Sequence, residues 1–309
     1  MDRVSTAGSY SAILFNLLAA EQRQADVNTV ISTQKNGLNL KDYAPRAQTL
    51  TAMKTVDARL TTYLDQNSVT ADRLGTQDQA LNQVADAATQ THQAIIDALA
   101  SGSGDTLMQK LQGQFANAVG GMNTTYDGKY LFAGGQINTQ PVTATQLTDL
   151  TAVGATIPGF FQNDTYVAQT KLSDTQTVST GMLADGLGTP MLTAYQTMQA
   201  FHQSGAGPFK GTLTAAQTAF LQSQLSTWDQ IRQDTTTVAA TNGILQNQVD
   251  GAKAGLTSQQ ITVQSMMGGI TDADMAKAAT DLSQAQFAVQ AISRVFANLQ
   301  NTSLLNVLR

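Results

Sequence analysis

The chain has 309 residues, which is enough for a large core and for two or three domains. Only 13% of the residues are charged, and 17 basic against 22 acidic side chains give a net charge of −5. Because no basic cluster is present, the sequence predicts no nucleic-acid partner. Cysteine is absent, which excludes disulfides and thiolate sites. No run of about 20 apolar residues occurs, so we predict no membrane span and no membrane partner.

The N-terminal segment repeats apolar residues at alternating intervals of three and four. This spacing is typical of a coiled-coil seam and predicts one helix over 5–34. Residues 13–20 are apolar apart from Asn16, but they lack a basic flank and a good cleavage site. We therefore interpret them as part of this helix and not as a signal peptide. The seam positions are Tyr10, Ile13, Leu17, Ala20, Gln24, Val27 and Ile31.

An irregular, Pro- and Gly-containing segment follows at 36–45. After it comes a longer run of mostly apolar positions at the same intervals of three and four, a pattern that we call a ladder. It begins at Leu50, ends at Leu99 and predicts a helix over 46–100. The SGSGD stretch at 101–105 ends this helix, and Asp105 is predicted to cap a shorter one. The apolar face of the shorter helix contains Leu107, Leu111, Phe115, Ala118 and Met122.

The helical period is lost in the middle of the chain. Clustered glycines and short apolar runs separated by Asn, Asp and Thr predict a small β-rich insertion up to about residue 182. Thr189 and Pro190 resemble a cap followed by a first-turn proline, which predicts a helix over 191–203. Residues 205–211 are predicted to form a loop.

A third ladder extends from Leu221 to Met266 and predicts another long helix. Gly268 and Gly269 are predicted to end it, and Thr271 or Asp272 to cap the last helix. That helix carries a second terminal seam, and further leucines and a valine lie near the C-terminus at 304, 305, 307 and 308. The seam positions are Met275, Ala278, Leu282, Ala285, Val289, Ile292, Phe296 and Leu299.

Taken together, the ladders predict a mainly α fold. We expect a long antiparallel helical bundle or coiled coil, built from paired N- and C-terminal segments, with a small β-rich inserted domain. Three domains are predicted. They are a terminal coiled-coil assembly domain at 1–45 plus 268–309, a helical-bundle domain at 46–132 plus 211–267, and a β-rich outer domain at 133–210.

Each terminal seam is short for an independent helix in water, so the two ends are predicted to pack on each other. Leu14, Leu18 and Phe287 lie outside the seams and would remain as spare apolar surface. We therefore expect neighbouring copies of the chain to bury part of the terminal helices. The predicted assembly interface consists of Ile13, Leu17, Val27, Ile31, Leu282, Val289, Ile292, Phe296, Leu299, Leu305 and Leu308.

Reactive residue patterns are absent from the sequence. His92 and His202 are far apart, and we interpret His92 as a polar seam residue. Asp272 and Asp274 are predicted to act at a helix N-terminus and not to bind a cation. The polar seam residues Asp57, Asn67, Asp78 and Asn242 are predicted either to set the register of the bundle or to lie at its edge. We predict no catalytic residue, no cofactor, no metal and no enzymatic activity.

Short motifs occur at both ends and in the centre of the chain. They are RVST at 3–6, AEQR at 20–23, IST at 31–33 followed by Lys35, KYLFAG at 129–134, ITDAD at 270–274 and SLL at 303–305. In this order and at these distances the motifs resemble those of the flagellin-type axial proteins of bacterial flagella. Separately the motifs are weak, but their order and distances make the resemblance specific.

The resemblance implies an extracellular, flagellar, structural protein that is exported by the type III machinery without a cleaved signal peptide. It implies a homo-oligomeric axial ring that contacts a neighbouring hook-associated junction protein and flagellin, and an export chaperone on the C-terminal helix. The KYLFAG-like segment and the chain length favour the junction between hook and filament. A filament flagellin remains an alternative, as does a flagellin-like cell-surface protein with a ligand on residues 133–210.

Overall fold

The structure, a computed structural model, describes the backbone of residues 2–307 and the side-chain environment of residue 8 and residues 10–298. The described residues are mainly helical with a small β part, which confirms the predicted fold class. The helices are α1 (Asp2–Thr33), α2 (Ala47–Ser101), α3 (Leu107–Met122), α4 (Ala184–Gln203), α5 (Ala215–Thr271) and α6 (Met275–Val307). The strands are β1 (Thr125–Tyr126), β2 (Lys129–Tyr130), β3 (Gln169–Lys171) and β4 (Thr177–Ser179). Short 3-10 helices occupy Leu40–Arg46, Leu147–Thr151 and Ile157–Phe160.

The chain forms two compact units. We call the first the terminal unit; it contains the residues up to 59 and those from 259 onward. The second is the central unit, which contains residues 60–258. Helices α2 and α5 each contribute residues to both units. The predicted division into three domains stays a prediction.

The core of the central unit is built from α2, α3, α4 and α5 around a cluster of aromatic rings. The ring of Tyr195 lies edge-on to Trp228 at 4.7 Å and to Phe115 at 5.4 Å, and all three side chains are buried. The Tyr195 hydroxyl lies 2.7 Å from the hydroxyl of Thr91. Burial raises the pKa of Tyr195 far above its ordinary value, so the phenol stays neutral and hydrogen-bonded.

The apolar face predicted for α3 is confirmed, because all five of its predicted residues are buried. Gly121 on this helix faces α2, where an added Cβ would lie 2.9 Å from the carbonyl oxygen of Ala80. The close approach of the two helices therefore requires glycine there. The predicted cap was wrong, because Thr106 precedes the helix and the Asp105 carboxylate instead accepts hydrogen bonds from the Gly211 amide and the Ser103 hydroxyl.

The insertion contains less β structure than predicted. Strands β1 and β2 form one antiparallel pair and β3 and β4 another, whereas residues 160–161 and 166–168 are not in strands. The physical reason is that side chains satisfy much of the local backbone. The Asp149 carboxylate accepts hydrogen bonds from the amides of Thr145 and Gln146. The Asp164 carboxylate accepts hydrogen bonds from the amides of Gly135 and Tyr166.

Two predicted helix boundaries were wrong. Helix α4 begins at Ala184, with Pro190 inside it, because contacts distant in sequence satisfy its first amides: Ala184 donates to the carbonyl of Phe132, and Asp185 donates to the side chain of Asn163. Helix α5 continues through Gly268 and Gly269 to Thr271. A helical glycine costs about 1 kcal/mol relative to alanine, which lowers stability but does not end a helix.

Candidate assembly interface

The terminal unit pairs α1 with α6, as the two short seams predicted. The pairing is antiparallel, because Tyr10 packs edge-on against Phe296 at 5.4 Å while Lys35 reaches Asp272 at the other end. The backbones of the two helices lie close together. Alanine makes this approach possible at Ala20, Ala278 and Ala285, which are buried.

The predicted interface residues on these helices are half-buried within the pair. They face the partner helix but keep part of their surface open, and their role in assembly stays a prediction. This group consists of Ile13, Leu17, Val27, Ile31, Leu282, Val289, Ile292 and Phe296. The seam residue Met275 differs, because it is 40% exposed at the start of α6. Leu299, Leu305 and Leu308 lie outside the side chains that the structure describes.

Large apolar side chains on the outside of the same helix pair are open to water. Leu18 is 56% exposed and Phe287 is 74% exposed, and Leu14 is also exposed, as the sequence predicted. Sequence reasoning missed Phe15 and Val295, which are exposed as well. Their apolar side chains on a predicted helix, at positions outside the seam, were the signal that could have identified them. Such side chains favour association when they are grouped on one pair of helices.

A polar clasp joins the segment after α1 to the segment before α6. The amide of Asn36 donates to the carbonyl of Thr271 at 2.8 Å, and the amide of Ala273 donates to the carbonyl of Gln34 at 3.0 Å. The Lys35 ammonium forms an ion pair with the Asp272 carboxylate. These contacts hold the open ends of α1 and α6 together. No local pattern predicted these contacts, since Lys35 and Asp272 are separated by 237 positions.

We predict that the clasp can be measured through the titration of Asp272. The hydrogen bond and charge of Lys35, with a further hydrogen bond from Thr271, hold the pKa of Asp272 below its ordinary value of 3.8. Replacing Lys35 by glutamine should raise this pKa toward the ordinary value, as followed by carbon-detected NMR of the carboxyl group. Lys41 is exposed and supplies a matched control in Lys41→Gln, which should leave the Asp272 pKa unchanged.

The sign of the resulting pH dependence follows from the depressed pKa. The stabilisation from the ion pair is present above the unfolded-state pKa of Asp272 and is lost as pH falls through the folded-state pKa. An equal Asp272 pKa in the Lys35→Gln variant and the wild type would contradict the clasp.

Buried amides connect α2 with α5 inside the central unit. The Asn242 side chain accepts a hydrogen bond from Gln77 at 3.0 Å and donates to the carbonyl of Leu74 at 3.0 Å. Asn67 is also buried and donates to the carbonyl of Leu172 at 2.9 Å. The bonds of Asn242 join α2 to α5 and favour one register of these helices, whereas the bond of Asn67 joins α2 to the segment after β3.

The remaining polar seam residues lie nearer the surface. Asp78 is half-buried and accepts a hydrogen bond from Asn242 at 3.3 Å, while Asp57 accepts one from Gln264 at 3.1 Å. His92 is half-buried on α2, as expected of a polar residue on the seam.

The histidine and aspartate residues that could have had a chemical role make contacts that stabilise the fold. His202 accepts a hydrogen bond from the Phe209 amide at its Nδ1 atom and stacks on the Phe209 ring, and burial lowers its pKa. The Asp274 carboxylate accepts a hydrogen bond from the Lys277 amide at 3.0 Å, which confirms a capping role for Asp274 at the start of α6. The prediction of Thr271 or Asp272 as the cap was wrong, because Thr271 ends α5 and Asp272 pairs with Lys35. Among the described residues, no group of three or more His, Cys, Asp or Glu side chains is arranged to hold a metal ion.

The C-terminal part of the chain matches a known family model. Residues 225–308 match the family model of the bacterial flagellin C-terminal helical region. This region includes α6 with its exposed Phe287 and the part of α5 that carries Asn242. The matched region therefore contains α6, which is one of the two helices in the antiparallel pair of the terminal unit. No curated protein sequence matches the chain significantly.

Two solved structures have a similar fold. A protein from Vibrio parahaemolyticus described as flagellar hook-associated has a TM-score of 0.61 at 14% identity, over 75% of this chain and 100% of that chain. FlgL from Bacillus cereus has a TM-score of 0.53 at 16% identity, over 71% of this chain and 99% of that chain. The fold of these two proteins, together with the flagellin C-terminal region, confirms the resemblance identified from the sequence motifs. No helix in the described part of the chain has the length and apolar character needed to cross a membrane.

Proposed function

We propose that this protein is a structural component of the bacterial flagellum, located at the junction between hook and filament. The observation that carries the proposal is the exposed apolar surface of α1 and α6, the two helices that a flagellin-type protein would use for assembly. Two solved structures of similar fold are described as a flagellar hook-associated protein and as FlgL, which favours the junction. The protein contributes packing surfaces and is not an enzyme.

In this proposal the function is mechanical. Leu14, Phe15 and Leu18 on α1 and Phe287 and Val295 on α6 pack against neighbouring copies in an axial ring, where apolar burial supplies the association energy. Interlocked helices then transmit torque between the hook and the filament. The adjacent partners are a hook-associated junction protein on one side and flagellin on the other.

In this proposal the chain is exported before it assembles, and the exposed apolar faces of α1 and α6 must be covered during export. We propose that the chain leaves the cell through the flagellar type III machinery, without a cleaved signal peptide, and that a chaperone shields the C-terminal helix. Exposed side chains such as Phe287 would otherwise promote aggregation before the chain reaches the growing flagellum.

A filament flagellin is the second candidate, because the matched C-terminal region bears the flagellin name. A flagellin should polymerise alone into long filaments, whereas a junction protein should form at most a short collar. We expect the purified full-length chain to form no long filaments under conditions that polymerise a filament flagellin from the same cells.

Immunoelectron microscopy of purified flagella tests the location. An epitope inserted after Val153, which is fully exposed in the central unit, should bind gold particles only where the hook meets the filament. The untagged strain provides the background level. Label distributed along the filament would assign the protein as flagellin, and label absent from intact flagella would refute a flagellar role.

A further inference from the structure

A cleft in the central unit has the composition of a ligand site and is not used by assembly through α1 and α6. It has a volume of about 470 Å³ and lies between α2, the β1–β2 hairpin and the loop that carries Tyr166. Volumes of this size are typical of small-molecule sites in proteins. Its lining combines three tyrosine rings with three charged side chains, which are Arg73, Lys129 and Asp127.

Arg73 of α2 supplies the partly buried positive charge of the cleft, whereas Lys129 and Asp127 at its lining are exposed to water. The structure describes no carboxylate within ion-pair distance of its guanidinium and no hydrogen bond from it to residues 10–298. The side chain is half-buried, and this burial lowers its pKa without neutralising it. A partly desolvated cation without a counter-ion is unfavourable, so an anion in the cleft would be stabilised.

The tyrosines offer ring faces and hydroxyl groups to the same space. Tyr166 is 61% exposed, and Tyr126 and Tyr130 are half-buried. None of the three hydroxyls has a hydrogen-bond partner among the side chains and backbone that the structure describes. Phenol rings combine an apolar face with a polar tip, which suits a ligand with C–H faces and many hydroxyl groups. Val69, which is 58% exposed, extends the apolar side of the cleft.

The wall of the cleft is fixed before any ligand binds. The Asp164 carboxylate accepts hydrogen bonds from the Gly135 amide at 2.8 Å and from the Tyr166 amide at 2.9 Å. Gly134 has a φ of +67°, and an added Cβ there would overlap the Asp164 carboxylate. A side chain at position 134 would displace the carboxylate that holds the Tyr166 amide, so glycine favours this turn and the placement of Tyr166 at the edge of the cleft.

We propose that this cleft binds a carboxylated sugar, with the carboxylate on the Arg73 guanidinium and the sugar ring against Tyr166. A planar carboxylate matches the two parallel N–H donors of a guanidinium. The tyrosine rings and hydroxyls would serve little purpose for a simple inorganic anion, whereas a pyranose uses both. This binding activity is additional to the proposed structural role and does not depend on assembly.

The test compares methyl β-D-glucuronide with methyl β-D-glucoside, which differ only in the carboxylate. Each sugar is titrated into the full-length chain and followed by saturation-transfer difference NMR. We expect the glucuronide to bind with a millimolar or lower Kd and the glucoside to bind at least about tenfold more weakly. Arg73→Gln should weaken glucuronide binding by about tenfold or more, since the charged pair is lost.

Two further variants keep the test decisive if Arg73→Gln does not fold. Tyr166→Ala removes an exposed ring without opening the core and should weaken binding several-fold. Arg232→Gln removes an arginine of the same unit that pairs with Asp229, and binding should be unchanged. Failure of the glucuronide to bind, equal binding of both sugars, or equal affinity in Tyr166→Ala would overturn the proposal. Equally strong competition by N-acetylaspartate methylamide would assign the cleft to acidic peptides and also overturn it.

Discussion

Replacing Asn242 by aspartate should strongly destabilise the central unit at neutral pH but have little effect in acid. The Asn242 side chain is fully buried, and its NH₂ group faces the Leu74 carbonyl at 3.0 Å and the Asp78 carboxylate at 3.3 Å. A carboxylate at this position would place an oxygen against the Leu74 carbonyl and the Asp78 carboxylate, and neither of these groups can donate a hydrogen bond to it. We expect a loss of about 3–5 kcal/mol in the free energy of unfolding at neutral pH, the usual cost of a buried charge without a partner.

The pH dependence identifies the cause. Burial, the carbonyl and Asp78 all raise the folded-state pKa of the new carboxyl above its unfolded value of about 3.9. The folded variant therefore binds the proton more tightly than the unfolded chain. The deficit relative to wild type should be small below about pH 4 and should grow as pH rises through the unfolded-state pKa toward the folded-state pKa. Urea unfolding of both proteins at several pH values measures this difference.

Asn247 provides a matched control on the same helix. It is exposed, so Asn247→Asp adds the same charge to α5 without burying it and should change the unfolding free energy by about 0.5 kcal/mol or less. A deficit for Asn242→Asp that does not vary with pH would show that packing, and not charge, explains the loss.

The long helices could be predicted because a three-and-four repeat depends only on local spacing. Each position of the third ladder from Leu221 to Leu256 is buried or half-buried, including the polar Asn242. The boundaries at Pro190 and Gly268 could not be predicted in the same way. Proline and glycine signals are local. At α4, contacts with Phe132 and Asn163 start the helix before Pro190, and at Gly268 the cost of a helical glycine is too small to end α5.

The candidate sites also differ in whether local spacing alone could predict them. Leu14, Leu18 and Phe287 could be identified as spare surface because helical spacing places them outside the seam. The clasp and the cleft could not be identified, since each joins residues that are distant in sequence. Arg73, for example, meets a hairpin and a loop more than fifty positions away, and nothing in the residues around it signals that meeting.

Replacing Leu18 and Phe287 by aspartate together should abolish incorporation into the flagellum while leaving the free chain folded. Both side chains are mostly exposed, so the charges meet water in the monomer and cost little there. On assembly they would be desolvated against apolar surface, at a cost of about 2–5 kcal/mol each. Flagella counted by electron microscopy, in cells that carry only the variant, should fall by about tenfold or more.

The conservative pair Leu18→Met and Phe287→Leu separates apolar character from side-chain identity. It keeps both positions apolar and should retain most flagella, because association through apolar burial tolerates changes of shape better than added charge. Circular dichroism of the purified chains should show the same helix content and thermal midpoint for both double variants and the wild type. Normal flagella on cells with the aspartate variant would place these side chains outside the interface, and the proposal that α1 and α6 drive assembly through their exposed faces would be wrong.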